Sequence, residues 1–404
     1  MRLIMHLDMN SYFASVEQQA NPFLRGKSVG VCAYLSERGC IIASSKEAKA
    51  KGIRTGCRVS DAKLLDPKAI FIENEPAKYR AVTARVFAIL SEYSDKMEPY
   101  SIDEAFVDLS DTARDYAHAA ELAAEIQQRI LDEVGEWLKC SVGISWTRFL
   151  AKYAGDTAPK GGILCIRPDN LEECLEKPVT EAWGIAKAMQ RRLSFLGIFT
   201  LNDLRRADGI RLKKVLGSYG YYMWANVNGL EIAHVSEGAA APKSIGHSYC
   251  LAKRSTDREY IEKVLYKLCE KTGRRLRERD LEARRCCVYV SFHDGESVQQ
   301  TETNSEGLFT TDEVFAAAQR CFARIPLNST VRMLAISSSR LAPVSGQMTL
   351  FASDTFKKRD LGKALDKIND KYGEYTVVKG MMNDMSTVAR DRVGFRKTIL
   401  FTRA

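Results

Sequence analysis

The chain has 404 residues, 45% of them hydrophobic and 27% charged, with a formal net charge of +9. That length exceeds one hydrophobic core and predicts two to four domains of ordinary globular composition. No apolar run reaches the roughly 18 residues of a membrane span, so none is expected. Asp8 interrupts the N-terminal apolar run too early for a signal peptide. Eleven cysteines without a C-x-x-C pair make neither a disulfide framework nor a zinc site. They are expected as small apolar filler in a reducing cytoplasm, and the basic balance favours a polyanionic partner.

Residues 3–7 (LIMHL) predict a strand ending at Asp8, and SYFASVEQQ has helical spacing with Tyr12, Phe13 and Val16 on one side. VGVCA (29–33) and CIIAS (40–44) read as strands about a Ser-Glu-Arg-Gly turn, and SKEAKAKG as a short basic helix closed by Gly52. A strand at 70–73 and a helix over 76–95 follow, then MEPYSI and EAFVDLS, two strands meeting at Asp103-Glu104. A helix over about 115–134, a strand at 140–145 and a helix over about 147–156 complete a mixed sheet covered by helices. Residues 168–235 predict short helices only, APKSIG (241–246) a linker, and 246–341 a strand-helix-strand-strand-helix-strand unit. Beyond 342 a polar linker precedes one basic amphipathic helix, FKKRDLGKALDKINDKYG.

Three carboxylates stand at strand ends: Asp8, Asp103 and Glu104. A sheet can gather such ends at one edge, where buried acids repel unless a cation neutralises them. Oxygen-only ligands beside phosphate suit Mg²⁺, and two such ions can stabilise both oxygens of an in-line displacement. Spacing alone favours a plainer alternative, with Asp8 a helix cap and Asp103-Glu104 a turn.

HLDMNSYFASVE together with YSIDEAFVDLS resembles the two metal-binding motifs of the Y-family DNA polymerases, and LAKYAGDTAPKGGI resembles their third block. The resemblance runs in order over residues 1–345. It implies an α+β multidomain, right-hand polymerase. The palm would take 1–20 and 75–167, small fingers 21–74, a helical thumb 168–240, an α+β little finger 244–342 and a tail 343–404. It further implies that Asp8 and Asp103 bind two Mg²⁺ ions, that Glu104 binds the catalytic one, and that the Met9 carbonyl is another ligand. Phe13 aligns with the steric gate that leaves no room for a 2′-hydroxyl. Tyr12 would flank the same sugar and triphosphate, and the N–H groups of residues 11–13 suit phosphate. Lys46-Glu47-Ala48-Lys49 stands where the family usually has Tyr-Glu-Ala-Arg. Lys49 keeps the charge without the arginine fork. Polymerase V-like members also lack this Tyr and carry Lys at the second place, so the resemblance implies a position nearer that branch than polymerase IV. Ser44 and Lys160 are further triphosphate candidates, although Pro159-Lys160 inverts the family's Lys-Pro order.

WGIAKAMQRRLSFLGI resembles the thumb's helix-hairpin-helix, whose turn at Gly184 and Ala186 would aim N–H groups at a DNA phosphate. KTGRRLRERDLEARR (271–285) is a basic helix and turn in the place of the little finger. Arg274, Arg275 and Arg277 are expected on the DNA backbone there, in contacts that weaken with salt. Gln347-Met-Thr-Leu350-Phe351 resembles the Gln-x-x-Leu-Phe peptide that docks on the bacterial sliding clamp, with Leu350 and Phe351 in an apolar pocket. The resemblance implies low-fidelity translesion synthesis on primer–template DNA from deoxynucleoside triphosphates, in the SOS response to DNA damage, by a monomer. A non-catalytic repair scaffold and a nucleotidyl cyclase are the alternatives, separated by primer extension and by a search for cyclic product.

Overall fold

The structure, a computed structural model, describes residues 1–235, 241–344, 353–386 and 388–390, in two units that divide after Ala240. The first unit opens β1 (Ile4–Met9), α1 (Tyr12–Ala20), β2 (Val29–Cys32), β3 (Ile41–Ser44), α2 (Lys46–Ala50), α3 (Val59–Leu65), β4 (Ile70–Glu73) and α4 (Pro76–Ser91). It continues β5 (Met97–Pro99), β6 (Glu104–Asp108), α5 (Tyr116–Arg129), β7 (Cys140–Ser145), α6 (Arg148–Thr157) and β8 (Ile163–Cys165). Helices α7 (Leu171–Cys174), α8 (Lys187–Ser194), α9 (Leu201–Arg206), α10 (Gly209–Leu216) and α11 (Ser218–Val227) close it.

One sheet has the order β5-β6-β1-β7-β8 and a smaller one β3-β2-β4. Central β1 is apolar on both faces because helices cover both. Leu3, Met5 and Leu7 join the main core with Val86, Leu90 and Ile126, while Ile4 meets Phe106 and Ala151 of α6. Side chains alternate along a strand, so Asp8 shares the α6 side with Ile4 and His6. Helix α6 lies close on β7 at Gly143, where a Cβ would stand 2.1 Å from the Ala151 carbonyl oxygen. Any larger residue there would lift α6, and Lys152 with it, off the sheet. The helix expected over 115–134 is α-helical only to Arg129 and ends in a π turn over Ile130–Val134. The region after β8 is helical as expected, with its own core of Leu193, Leu201, Leu204, Leu212 and Leu216.

The second unit runs β9 (Ser244–Ser255), α12 (Arg258–Arg277), β10 (Leu281–Phe292), β11 (Ser297–Leu308), α13 (Thr311–Ala323), β12 (Val331–Pro343) and α14 (Ser353–Tyr372). Its antiparallel sheet is ordered β11-β10-β12-β9. The expected linker at 241–246 is corrected: Ser244, Ile245 and Gly246 already pair with Ser339, Ser338 and Ser337, because burying Ile245 starts the strand early. Helices α12 and α13 bury Cys286, Val288, Val290, Leu334 and Ile336. The other sheet face presents exposed Arg285 with half-exposed Cys287, Tyr289, Ala335 and Ser337. After α14 the chain adds Met382, Met385, Val388 and Ala389 to the same core.

Candidate active site

Antiparallel pairing sets Asp8 on β1 directly across from Glu104 on β6. The Met9 N–H donates to the Asp103 carbonyl at 2.9 Å, which ties the Asp103-Glu104 junction to the end of β1. Asp8 and the adjacent pair Asp103-Glu104, far apart in sequence, thus meet at one end of the sheet, each half-buried. On the far side of β1, Asp8 pairs with Ser141, whose hydroxyl reaches Asn10 at 3.0 Å and accepts the Gly161 N–H at 3.2 Å. That bond brings the loop after α6, and Lys160 in it, toward the acids.

The acids are unlike in environment. Burial, then repulsion by Asp103 and Glu104, pushes the Asp8 carboxyl up to about 8. Asp103 is also raised, chiefly by burial, against a hydrogen bond from Ser101. Burial alone would raise Glu104 too, but His6 and Lys152 outweigh it and hold Glu104 down at about 2. Lys152 Nζ lies 2.9 Å from Glu104 Oε2, and His6 Nε2 lies 3.3 Å from the same oxygen. Burial lowers the His6 pKa, and its Nδ1 has no partner among the described residues, so the neutral ring carries its proton on Nε2. Lysine and histidine therefore divert Glu104, and Ser101 diverts Asp103. Among the described residues no three His, Cys, Asp or Glu side chains are drawn into metal-holding geometry. The donor chemistry still fits a hard divalent cation: oxygen ligands only, and two carboxyls whose raised pKa values report too little nearby positive charge.

Lys152 was not singled out from the sequence. Its visible signals are its place in the LAKYAGDTAPKGGI block and an i,i+4 pairing with Asp156, 3.4 Å in the structure. Lys152→Ala should lower turnover by about ten- to a hundredfold, roughly 1.4–3 kcal/mol of barrier, with little change in nucleotide KM. Single-turnover primer extension checks this; unchanged turnover would make the ion pair merely structural.

Beside the acids, α1 starts from Ser11 in a left-handed conformation (φ 53°) with no side-chain cap, leaving its first N–H groups to a ligand. The Ser11 hydroxyl instead accepts from Lys49 Nζ at 2.7 Å. The Lys49 ammonium is lowered by burial and then by the Lys160 charge, while Asp8 opposes this, so the three groups lie within electrostatic reach. Phe13 is 8% exposed, its ring 4.6 Å from that of Tyr79. The Tyr12 hydroxyl is engaged inside the core, donating to the Tyr79 carbonyl at 2.8 Å and meeting Thr83 Oγ1 at 2.7 Å. What Tyr12 can offer a triphosphate is its main chain. Ser44 is wholly buried in β3 and its hydroxyl has no partner among the described residues, so it presents no surface hydroxyl to a nucleotide.

Gly184 adopts φ +89° and Ala186 caps α8 without a side-chain hydrogen bond, so the turn exposes main-chain donors. Tyr219 fixes it by donating to the Gly184 carbonyl at 2.9 Å. Arg274, Arg275 and Arg277 require correction as DNA contacts. Arg277 is 7% exposed and grips Asp366 of α14 through two bonds of 2.6 and 2.9 Å. Arg274 pairs with Asp370, and Arg275 donates to the Gly246 carbonyl at 3.0 Å. The basic stretch holds the C-terminal helix, since acids about ninety residues later neutralise it. The peptide Gln347, Leu350 and Phe351 lies outside the described residues.

Comparison with known proteins gives one answer. Residues 7–156 match the impB/mucB/samB family model, and residues 242–350 match the model of that family's C-terminal domain. The chain is 33% identical over 386 residues to DNA polymerase IV of Bacillus velezensis, covering 94% of this chain and 92% of that protein. It is equally similar to DNA polymerase IV 1 of Bacillus subtilis. These names favour the polymerase IV branch over the V-like one that Lys46 and Lys49 suggested. A chimera of the Y-family polymerases Dbh and Dpo4 superposes with a TM-score of 0.77 at 24% identity, over 84% of this chain and 99% of that one. DinB from Sulfolobus solfataricus superposes at 0.57, also with 24% identity. These two likenesses speak to the fold, which is that of palm, fingers, thumb and little finger. The chain belongs to the impB/mucB/samB family, the Y-family DNA polymerases.

Proposed function

We propose that the chain is a template-directed DNA polymerase that copies damaged template, with Asp8, Asp103 and Glu104 as its catalytic carboxylates. The observation that carries the reading is the meeting of these acids at one sheet end, in a chain 33% identical to DNA polymerase IV along 94% of its length. The primer 3′-hydroxyl attacks the α-phosphate of an incoming deoxynucleoside triphosphate, and pyrophosphate leaves. Two Mg²⁺ ions, held by Asp8, Asp103, Glu104 and the Met9 carbonyl, would acidify that hydroxyl and neutralise the triphosphate.

The chain's own groups do the rest. Lys152 and His6 keep Glu104 ionised and fixed. The free N–H groups at the start of α1, with Lys49 and Lys160, take the phosphates. Phe13 lies under the sugar. The turn at Gly184 and Ala186 takes a DNA phosphate, and the open face around Arg285 replaces the α12 arginines as the little-finger contact, with binding that weakens with salt. We assign the palm to 1–20 and 75–167, the fingers to 21–74, the thumb to 168–240 and the little finger to 244–342. The test is primer extension past an abasic or bulky lesion; a chain that binds primer–template and Mg²⁺ yet adds no nucleotide would overturn the reading.

The peptide at 347–351 adds a tether to a sliding clamp. Deleting it should weaken clamp binding at least about a hundredfold, roughly 3 kcal/mol, while extension on short unclamped templates stays at wild type. Surface plasmon resonance on immobilised clamp reads the first and a gel assay the second.

A further inference from the structure

Helix α14 is amphipathic the wrong way round. Surface helices turn an apolar stripe to the core and charges to water. Here the charges face the domain: Asp366 to Arg277, Asp370 to Arg274, Arg359 to Glu282 at 3.2 Å and Lys363 to Asp280 at 2.8 Å. Gly362 faces Arg277, where a Cβ would sit 3.5 Å from its side chain. The apolar side faces out: Leu361 is 60% exposed, Ile368 37% and Tyr372 65%. With exposed Ala364 these residues follow one another at steps of three or four, hence on one face. Exposed Lys357, Lys358, Lys367 and Lys371 flank the stripe, and none takes part in an ion pair among the described residues. The family's C-terminal model ends at residue 350, before this helix begins.

We propose that this outer face is a second docking surface for the protein that takes the 347–351 peptide: an apolar groove with an acidic rim, on the sliding clamp. The inference rests on the clamp-docking reading above. Anchors spaced 3, 4 and 4 along a helix suit a protein groove, whereas phosphates would need cations in their place. Three large apolar residues among so many lysines are too few to embed a helix in lipid. Charge selects the rim, because four lysines without an ion pair among the described residues need carboxylates opposite. Helix α14 starts two residues after Phe351, so a bound peptide presents the stripe at an effective concentration on the order of millimolar, and a weak contact suffices.

The test titrates the full chain against purified bacterial sliding clamp, comparing wild type, a 347–351 deletion, L361S/I368S and K367E/K371E. All the substituted side chains are exposed, so the fold should tolerate the changes. We expect each double variant to weaken clamp binding about tenfold, K367E/K371E most at low salt, with primer extension on short templates unchanged. Wild-type affinity in both double variants, with loss on peptide deletion, would overturn the inference alone. Loss in the double variants with no effect of the deletion would uphold the α14 surface and remove the peptide. Wild-type affinity in every variant would remove both. If L361S/I368S instead abolishes self-association, binding to phosphatidylglycerol vesicles or primer–template affinity while clamp binding stays intact, the occupant is another and the inference falls.

Discussion

Asp103→Ala should leave a folded protein that still binds primer–template but extends it at least about a thousandfold more slowly, roughly 4 kcal/mol of added barrier. The size follows from the electrostatics. Asp8 is raised by burial and then by repulsion from Asp103 and Glu104, and Asp103 by burial and then by Glu104, so holding them ionised is already unfavourable without a cation. Removing Asp103 relieves that repulsion and removes a cation ligand together. The apo variant should therefore melt no lower than wild type, and Mg²⁺ should raise the wild-type Tm more than the variant's, since only a bound ion adds stability by mass action. Calorimetry with and without Mg²⁺, beside single-turnover extension, reads both effects. Retained activity, or an equal Mg²⁺ response in the two proteins, would remove Asp103 from the site.

Local pattern places the acids at strand ends, but spacing alone favours a cap and a turn; it is the resemblance of HLDMNSYFASVE and YSIDEAFVDLS to the family's motifs that marks them as a metal site. Asp8 ends an apolar run before a helical period, and Asp103-Glu104 interrupts two strand-like runs. Period and punctuation survive in a single sequence, so the elements were legible too. Partners across the chain were not. A basic run such as 271–285 reads the same whether it faces DNA, water or acids ninety residues later. Only the structure shows that Asp366 and Asp370 of α14 neutralise Arg277 and Arg274. Lys152 was missed for a related reason: its partner Glu104 lies in another element, and the approach depends on Gly143 letting α6 lie flat. Ser44 failed in the opposite way, since a serine at a strand end looks exposed, whereas the folded chain buries it completely.

Phe13→Ala should lower the preference for deoxy- over ribonucleotides about a hundredfold or more, roughly 3 kcal/mol. The gate works only if its ring cannot yield, and the structure supplies the reason. Phe13 packs on Tyr79, and Tyr79 is fixed at both ends: its hydroxyl donates to Glu17 at 2.8 Å and its carbonyl accepts from Tyr12 at 2.8 Å. A braced ring meets a 2′-hydroxyl as a hard wall. Alanine removes the wall and leaves a cavity, so a stability loss of about 3 kcal/mol is also expected. Phe13→Leu separates the two effects, because it keeps most of the volume while losing the flat edge. It should keep the Tm within a few degrees and still relax sugar selection. Tyr79→Leu makes the complementary change, loosening the brace behind an intact ring, and should relax selection less than Phe13→Ala does. The ratio of kcat/KM for dNTP and NTP, measured for all three, decides the matter. If it is unchanged in Phe13→Leu and Phe13→Ala while both remain folded, this ring does not select the sugar.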